Sequence, residues 1–127
     1  MFIACLLQAD NKSIPAASTW TLSPESKFVH YCDNETIGGV EFKTLPDVGD
    51  RLLIGDVSSD FLSKPMDVSK FALIYGGAQK NIGPSGVTIV IVRQDLMGNA
   101  RYASSEQIQI LYRLRHAVDS FILLCWQ

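Results

Sequence analysis

The fold is decided where an apolar run leads directly into glycines and a lysine, in FALIYGGAQKN at residues 71–81. The first half predicts a buried strand, because apolar, aromatic and β-branched residues favour extended structure when glycine bounds them. Gly76 and Gly77 would let the backbone approach a ligand closely. A lysine at the end of such a strand is expected to be partly desolvated, which makes Lys80 a candidate amine nucleophile. An ordinary lysine in a surface turn is the alternative.

Further apolar runs on both sides of this stretch predict a sheet. With KFALIY (70–75) they are KFVHYC (27–32), RLLIGDV (51–57) and VTIVIV (87–92). The last three runs along the chain are almost continuously apolar, which favours strands covered on both faces of an α/β sheet. No long amphipathic helix separates them, although PMDVSKF (65–71) has room for one helical turn. Either the strands are not sequential neighbours, or their covering helices are encoded outside this chain.

The two ends of the chain differ from this middle part. The first twenty residues contain Pro15 and a stretch rich in Ser, Ala and Thr, and they are expected to be loop. From Ser104 onward, apolar residues recur at three- and four-residue steps, the period of an amphipathic helix. They are Ile108, Leu111, Leu114, Val118, Phe121, Ile122 and Cys125. The sequence therefore predicts a helix within residues 104–127.

Size and charge limit the class of protein. With 127 residues and 47% hydrophobic residues, the chain has material for one packed core at most. A net charge of −2 without a run of Lys or Arg disfavours a nucleic-acid partner. The apolar runs at the two termini are too short for a signal sequence or a membrane span, so we expect a cytoplasmic protein. Cys5, Cys32 and Cys125 lack metal-ligand spacing, which predicts free thiols and no metal site.

Two polar segments follow predicted strands. Asp56 ends LLIGD, at the carboxyl edge of the sheet, where α/β proteins bind ligands. Its alternative is a turn former, with Ser58 and Ser59 capping backbone amides. Thr36 lies in DNETIGG (33–39), which also fits a simple loop tip.

Other patterns exclude or leave open certain sites. The glycines around Lys80 do not match a nucleotide-triphosphate phosphate loop, because Lys80 precedes Gly83 and Pro84 follows that glycine. His30 and His116 have no partner at catalytic or ligand spacing, so we expect them to be structural.

Three motifs, in this order, resemble the phosphoserine aminotransferase family. They are IPAASTWTLSPESKFVHYC, HYCDNETIGGVEF and GDVSSDFLSKPMDVSKFALIYGGAQKNIGPSGVTIVIVRQDLMG, and the resemblance covers roughly residues 13–101. The family belongs to the class V aminotransferases, which use pyridoxal 5′-phosphate. The resemblance implies an incomplete α/β fold, the central-sheet segment of the large domain of a fold-type I transferase, over residues 1–103. A divergent segment, predicted to be helical, follows over 104–127.

The resemblance also implies roles for single residues. Lys80 would form the Schiff base with the cofactor, and Gln79 would contact the cofactor phosphate. Asp56 would pair with the pyridinium nitrogen and keep it protonated, so that the ring acts as an electron sink. Thr36 would hydrogen-bond the phenolic oxygen of the ring. The family reaction transfers the amino group of glutamate to 3-phosphohydroxypyruvate, giving O-phosphoserine and 2-oxoglutarate in L-serine biosynthesis, and the family enzyme is a homodimer.

Three interpretations of the whole chain stay open. As a partial chain with apolar sheet faces left uncovered, it is expected to be unstable and to have little or no activity alone. It would alternatively be a non-catalytic truncated isoform that associates with full-length subunits. A third possibility is another class V aminotransferase or a desulfurase, although FLSKPMDVSKF followed by GAQKNIGPSG favours the phosphoserine branch.

Overall fold

The computed structural model describes residues 13–96 and the backbone of residues 121–126. Its main sheet has five strands in the order β1-β4-β5-β6-β7, and β2 pairs with β3 in a separate hairpin. The strands are β1 (Phe28–Cys32), β2 (Asn34–Glu35), β3 (Val40–Glu41), β4 (Leu52–Asp56), β5 (Leu73–Gly77), β6 (Thr88–Arg93) and β7 (Phe121–Trp126). Short 3-10 turns lie at Ala17–Thr19, Val68–Lys70 and Gln94–Leu96.

The four strands predicted from apolar runs are confirmed as β1, β4, β5 and β6. β1, β4 and β5 are parallel, and β6 runs antiparallel to β5. Apart from the hairpin these strands are sequential neighbours, so the alternative that they are not is wrong. The crossovers at 33–51 and 57–72 carry a hairpin and a 3-10 turn, and the described residues contain no α-helix. The result is a mixed sheet from an incomplete α/β domain.

The last residues of the segment predicted to be helical form a strand in the structure. Residues 104–120 lie outside the described residues, but Phe121–Trp126 forms β7, parallel to β6. The helical prediction is therefore wrong for these six positions. The run FILLCW is continuously apolar, and a short run of that kind fits a buried strand as well as a helix. Pairing with the open edge of β6 satisfies its backbone hydrogen bonds and decides the conformation.

The core lies on one face of the sheet. Residues in β1 and β4 alternate between buried and less buried positions, so one face is closed at these strands, whereas four of the five residues of β5 are buried. Tyr31, Phe71 and Ile74 are among the most deeply buried side chains, and Tyr31 stacks on Phe71 with ring centroids 6.3 Å apart. The other face carries polar side chains near the carboxyl ends of the parallel strands, and these form the site described below.

No helix in the part of the chain that the structure describes has the length and apolarity needed to cross a bilayer.

Candidate functional site

The strand register places three polar side chains in a row on the half-buried face. Cys32 on β1 is opposite Asp56 on β4, and Asp56 is opposite Tyr75 on β5. Burial and the nearby Asp56 carboxylate raise the pKa of Tyr75, so its phenol stays neutral. His30 stacks on Tyr75, with Nε2 3.0 Å from the phenol oxygen, and burial lowers the pKa of His30 although Asp56 opposes this shift. The partner of His30 is 45 positions away along the chain, which is why its spacing gave no signal.

Ser58 fixes the carboxylate of Asp56. The backbone N–H and the hydroxyl of Ser58 both donate to Asp56 Oδ1, at 3.0 and 2.6 Å. Asp56 therefore acts as a turn former, as one interpretation of the sequence predicted. It also lies at the carboxyl edge of the parallel strands, as the other interpretation requires.

The β2–β3 hairpin brings Thr36 to Lys80. The carboxylate of Glu35 accepts hydrogen bonds from the N–H groups of Ile37 and Gly38, and this shapes the hairpin tip. Lys80 Nζ donates to Thr36 Oγ1 at 2.6 Å, across 44 positions of the sequence. Two of the predicted site residues are thus in direct contact.

The loop after β5 places Gln79 over Gly77. A Cβ atom at Gly77 would lie 2.6 Å from Gln79 Oε1, so this position must be glycine for the amide to keep its place. Gln79 and Lys80 are both exposed in this structure. The expected partial desolvation of Lys80 is therefore wrong within the part of the chain that the structure describes, where Lys80 is exposed and its amine donates to Thr36 on the hairpin.

An ionic cluster lies beside the hairpin, and no sequence pattern indicated it. Two of its carboxylates, Asp33 and Asp60, are buried, whereas Lys64 and Glu41 are partly exposed. Lys64 Nζ lies 2.9 Å from Asp33 Oδ2, 2.6 Å from Glu41 Oε1 and 3.6 Å from Asp60 Oδ2. Burial by itself would lower the pKa of Lys64, but hydrogen bonds to Glu41 and Asp33 raise it above its ordinary value. A cavity of about 270 Å³ opens beside the cluster. It is lined by Asp33, Glu41, Phe42, Lys43, Thr44, Leu45, Lys64, Pro65, Met66 and Asp67, none of which is a predicted site residue.

Asp60 is the member of this cluster whose carboxylate lacks hydrogen bonds to residues 13–96. Within the described residues, neither of its carboxylate oxygens has a hydrogen-bond partner, and its side chain is only 9% exposed. Burial and the neighbouring Asp33 carboxylate raise the pKa of Asp60 well above its usual value of 3.8. The folded chain therefore binds a proton that the unfolded chain releases, and this contribution to stability disappears as the pH rises through the raised pKa.

We expect Asp60→Asn to stabilise the chain at pH 8 by about 1 kcal/mol or more, and to change little or to destabilise at pH 4. The neutral amide removes the repulsion with Asp33 that ionisation creates. Urea unfolding at both pH values measures this difference. Asp50→Asn supplies the control, since it removes an exposed carboxylate outside this cluster and should not reproduce the effect of Asp60→Asn. Equal stability of wild type and Asp60→Asn across the whole range would contradict this interpretation.

The site combines an amine, a hydroxyl, a carboxylate and an amide at one edge of the sheet. Lys80, Thr36, Asp56 and Gln79 supply these groups. Among the described residues, no group of three or more His, Cys, Asp or Glu side chains could hold a metal ion.

Comparisons with known proteins identify relatives of this chain. The chain is 58% identical over 92 residues to phosphoserine aminotransferase of Pseudomonas syringae pv. tomato, a match that covers 72% of this chain and 26% of the relative. It is 54% identical over 110 residues to phosphoserine aminotransferase of Hahella chejuensis, which covers 86% of this chain and 30% of the relative. The chain thus spans less than a third of the length of these curated relatives.

The structure and the family model give the same result. A crystal structure of PLP-bound phosphoserine aminotransferase from Trichomonas vaginalis superposes with a TM-score of 0.58 and 44% identity, over 65% of this chain and 24% of that one. The model of the class-V aminotransferases matches residues 5–111, which is more than the range 13–101 that the sequence motifs cover. The chain therefore belongs to the class-V aminotransferase family.

Proposed function

We propose that this chain carries the cofactor-binding segment of a phosphoserine aminotransferase and binds pyridoxal 5′-phosphate. The observation that carries the proposal is the 2.6 Å contact between Lys80 Nζ and Thr36 Oγ1. It joins two residues that the family pattern assigns to the same cofactor, although they lie on separate segments. The names of the relatives support the substrate class, and the PLP-bound enzyme from Trichomonas vaginalis supports the cofactor.

Each residue has a separate task in this proposal. When bound, pyridoxal phosphate supplies an electron sink for amino-group transfer. Lys80 would hold the cofactor through its primary amine and would supply the group that moves a proton at the substrate carbon, which the guanidinium of an arginine does not do. Asp56 would keep a proton on the ring nitrogen, because a fixed carboxylate favours the charged form of that nitrogen. Thr36 would hydrogen-bond the phenolic oxygen, and Gln79 would contact the phosphate.

The reaction proposed for the complete enzyme converts glutamate and 3-phosphohydroxypyruvate into 2-oxoglutarate and O-phosphoserine, in the cytoplasm. For this chain we propose cofactor binding with little or no turnover, because the relatives are more than three times as long as the matched segment.

We further propose that the chain associates with a second subunit. Ile37 at the hairpin tip is 98% exposed and Leu62, after β4, is 74% exposed. Both lie close to the site, since Ile37 follows Thr36 and Asn81 Nδ2, next to Lys80, donates to the carbonyl oxygen of Phe61. Exposed apolar side chains of this size favour association. Sedimentation at several concentrations tests this, and a monomer throughout would refute it.

The cofactor proposal is tested by adding pyridoxal phosphate to the purified chain, recording the visible spectrum, reducing with borohydride and mapping the labelled peptide. We expect one main adduct, on Lys80. Label spread evenly over the exposed Lys27, Lys43 and Lys70 would show reaction with surface amines alone and would reject the proposed site.

A further inference from the structure

The hydroxyl of Ser58 connects two strands at the point where the site begins. It donates to Asp56 Oδ1 at 2.6 Å and accepts a hydrogen bond from the backbone N–H of Gly77 at 3.1 Å. Asp56 is the last residue of β4 and Gly77 is the last residue of β5. One side chain thus holds both strand ends.

The position of Ser58 in the ladder explains this double contact. The N–H of Val57 donates to the carbonyl oxygen of Tyr75 at 2.9 Å, which is the final backbone bond between these strands. Beyond it β4 turns away, and the N–H of Gly77 meets the Ser58 hydroxyl. The hydroxyl oxygen therefore replaces a carbonyl of the ladder, and its proton remains available for Asp56.

We infer that Ser58 is a positioning residue for Asp56, and through it for recognition of the cofactor ring nitrogen. Both hydrogen bonds from Ser58 end on Oδ1, so they fix the position of that oxygen and leave Oδ2 without a contact from Ser58. Hydrogen bonds to a carboxylate are short and strong, and preorganised groups recognise a charged partner better than mobile ones. Gly77 also leads directly to Gln79 and Lys80, so the same hydroxyl holds the start of that loop. This inference rests on the proposed function.

The neighbouring serine provides a matched control. Ser59 also makes two hydrogen bonds, but both go to Asn34 at 3.0 Å and neither goes to Asp56. Ser59→Ala therefore removes a hydroxyl of the same type, one residue away, without touching the carboxylate. Ser58→Thr is the conservative variant, because it keeps the hydroxyl.

The experiment compares two probes in the full chain, pyridoxal phosphate and 1-deazapyridoxal phosphate, which lacks the ring nitrogen. Wild type should bind pyridoxal phosphate more tightly than 1-deazapyridoxal phosphate. In Ser58→Ala this preference should fall about tenfold, because a hydrogen bond to a charged group is lost. Ser58→Thr should restore it and Ser59→Ala should keep it. If Ser58 had only a structural role, Ser58→Ala would weaken the binding of both probes by the same factor. That result, or an unchanged preference for pyridoxal phosphate, would overturn the inference.

A second measurement needs no cofactor. Amide hydrogen exchange at Gly77 should be about tenfold faster in Ser58→Ala than in wild type or Ser59→Ala, because the N–H loses its acceptor. Unchanged exchange at Gly77 would also overturn the inference.

The probe binding of wild type distinguishes a failure of the proposed function from a failure of this inference alone. If wild type itself binds both probes equally, or neither, the proposed function fails and the inference fails with it. If only the Ser58→Ala results disagree, the inference alone fails.

Discussion

Lys80→Ala should abolish the borohydride-stable adduct with pyridoxal phosphate. The covalent link needs a primary amine beside the other cofactor contacts, and Lys80 is the amine that the structure places on Thr36. Lys80→Arg should abolish the adduct as well, because it keeps the positive charge but lacks the primary amine. Mass spectrometry of the reduced and digested chain measures the label at each lysine.

The control for this experiment is another exposed lysine. Lys70 ends the 3-10 turn at Val68–Lys70 and, within residues 13–96, makes no hydrogen bond to a predicted site residue. Lys70→Ala should keep the adduct at full yield. An unchanged amount of label in Lys80→Ala would show that Lys80 is not the attachment site, and the proposed function would then have no structural support.

Phe71→Ala should lower the free energy of unfolding by about 3–5 kcal/mol, the usual loss for a fully buried aromatic ring. Phe71 is 1% exposed, stacks on Tyr31 and lies against Gly55, where an added Cβ would come within 3.0 Å of its ring. Removing the ring leaves a cavity under β4. Since domains are stable by only about 5–15 kcal/mol, this loss is a large fraction of the total free energy of unfolding. Urea unfolding followed by circular dichroism measures the loss.

Ile37 gives the matched comparison, because it is a large apolar residue that is 98% exposed. Ile37→Ala should change stability by no more than about 0.5 kcal/mol. A loss below about 1 kcal/mol in Phe71→Ala would mean that the core described here contributes little to folding.

The strands were predictable because their signal is local. Apolar runs bounded by glycine, proline and aspartate indicated β1, β4, β5 and β6, and each run formed a strand within a few residues of the predicted limits. The same local signal misled at Phe121–Trp126, where spacing that suits a helix belongs to a strand paired with β6. Short apolar runs leave this choice to the neighbouring strand.

The sequence predicted only part of the hairpin. DNETIGG was predicted as a polar turn, and the structure adds the short strands β2 and β3 on its two sides. Two-residue strands carry too few side chains for an alternating pattern, so their pairing depends on the Lys64 cluster and on the Glu35 carboxylate.

The sequence by itself identified Lys80 and Asp56 as candidates, because a lysine after a glycine-rich strand end and an acid at a strand end are visible from their immediate neighbours. It left a surface-turn lysine and a turn-forming aspartate as the alternatives. The family resemblance then assigned Thr36 and Gln79 to the same cofactor. Only the tertiary structure decided which residues meet. The Lys80–Thr36 contact, the pairing of His30 with Tyr75, and the Ser58 link between Asp56 and Gly77 all join different segments. Such contacts arise when strands pair in register and loops close over them, and no periodicity within one segment encodes that geometry.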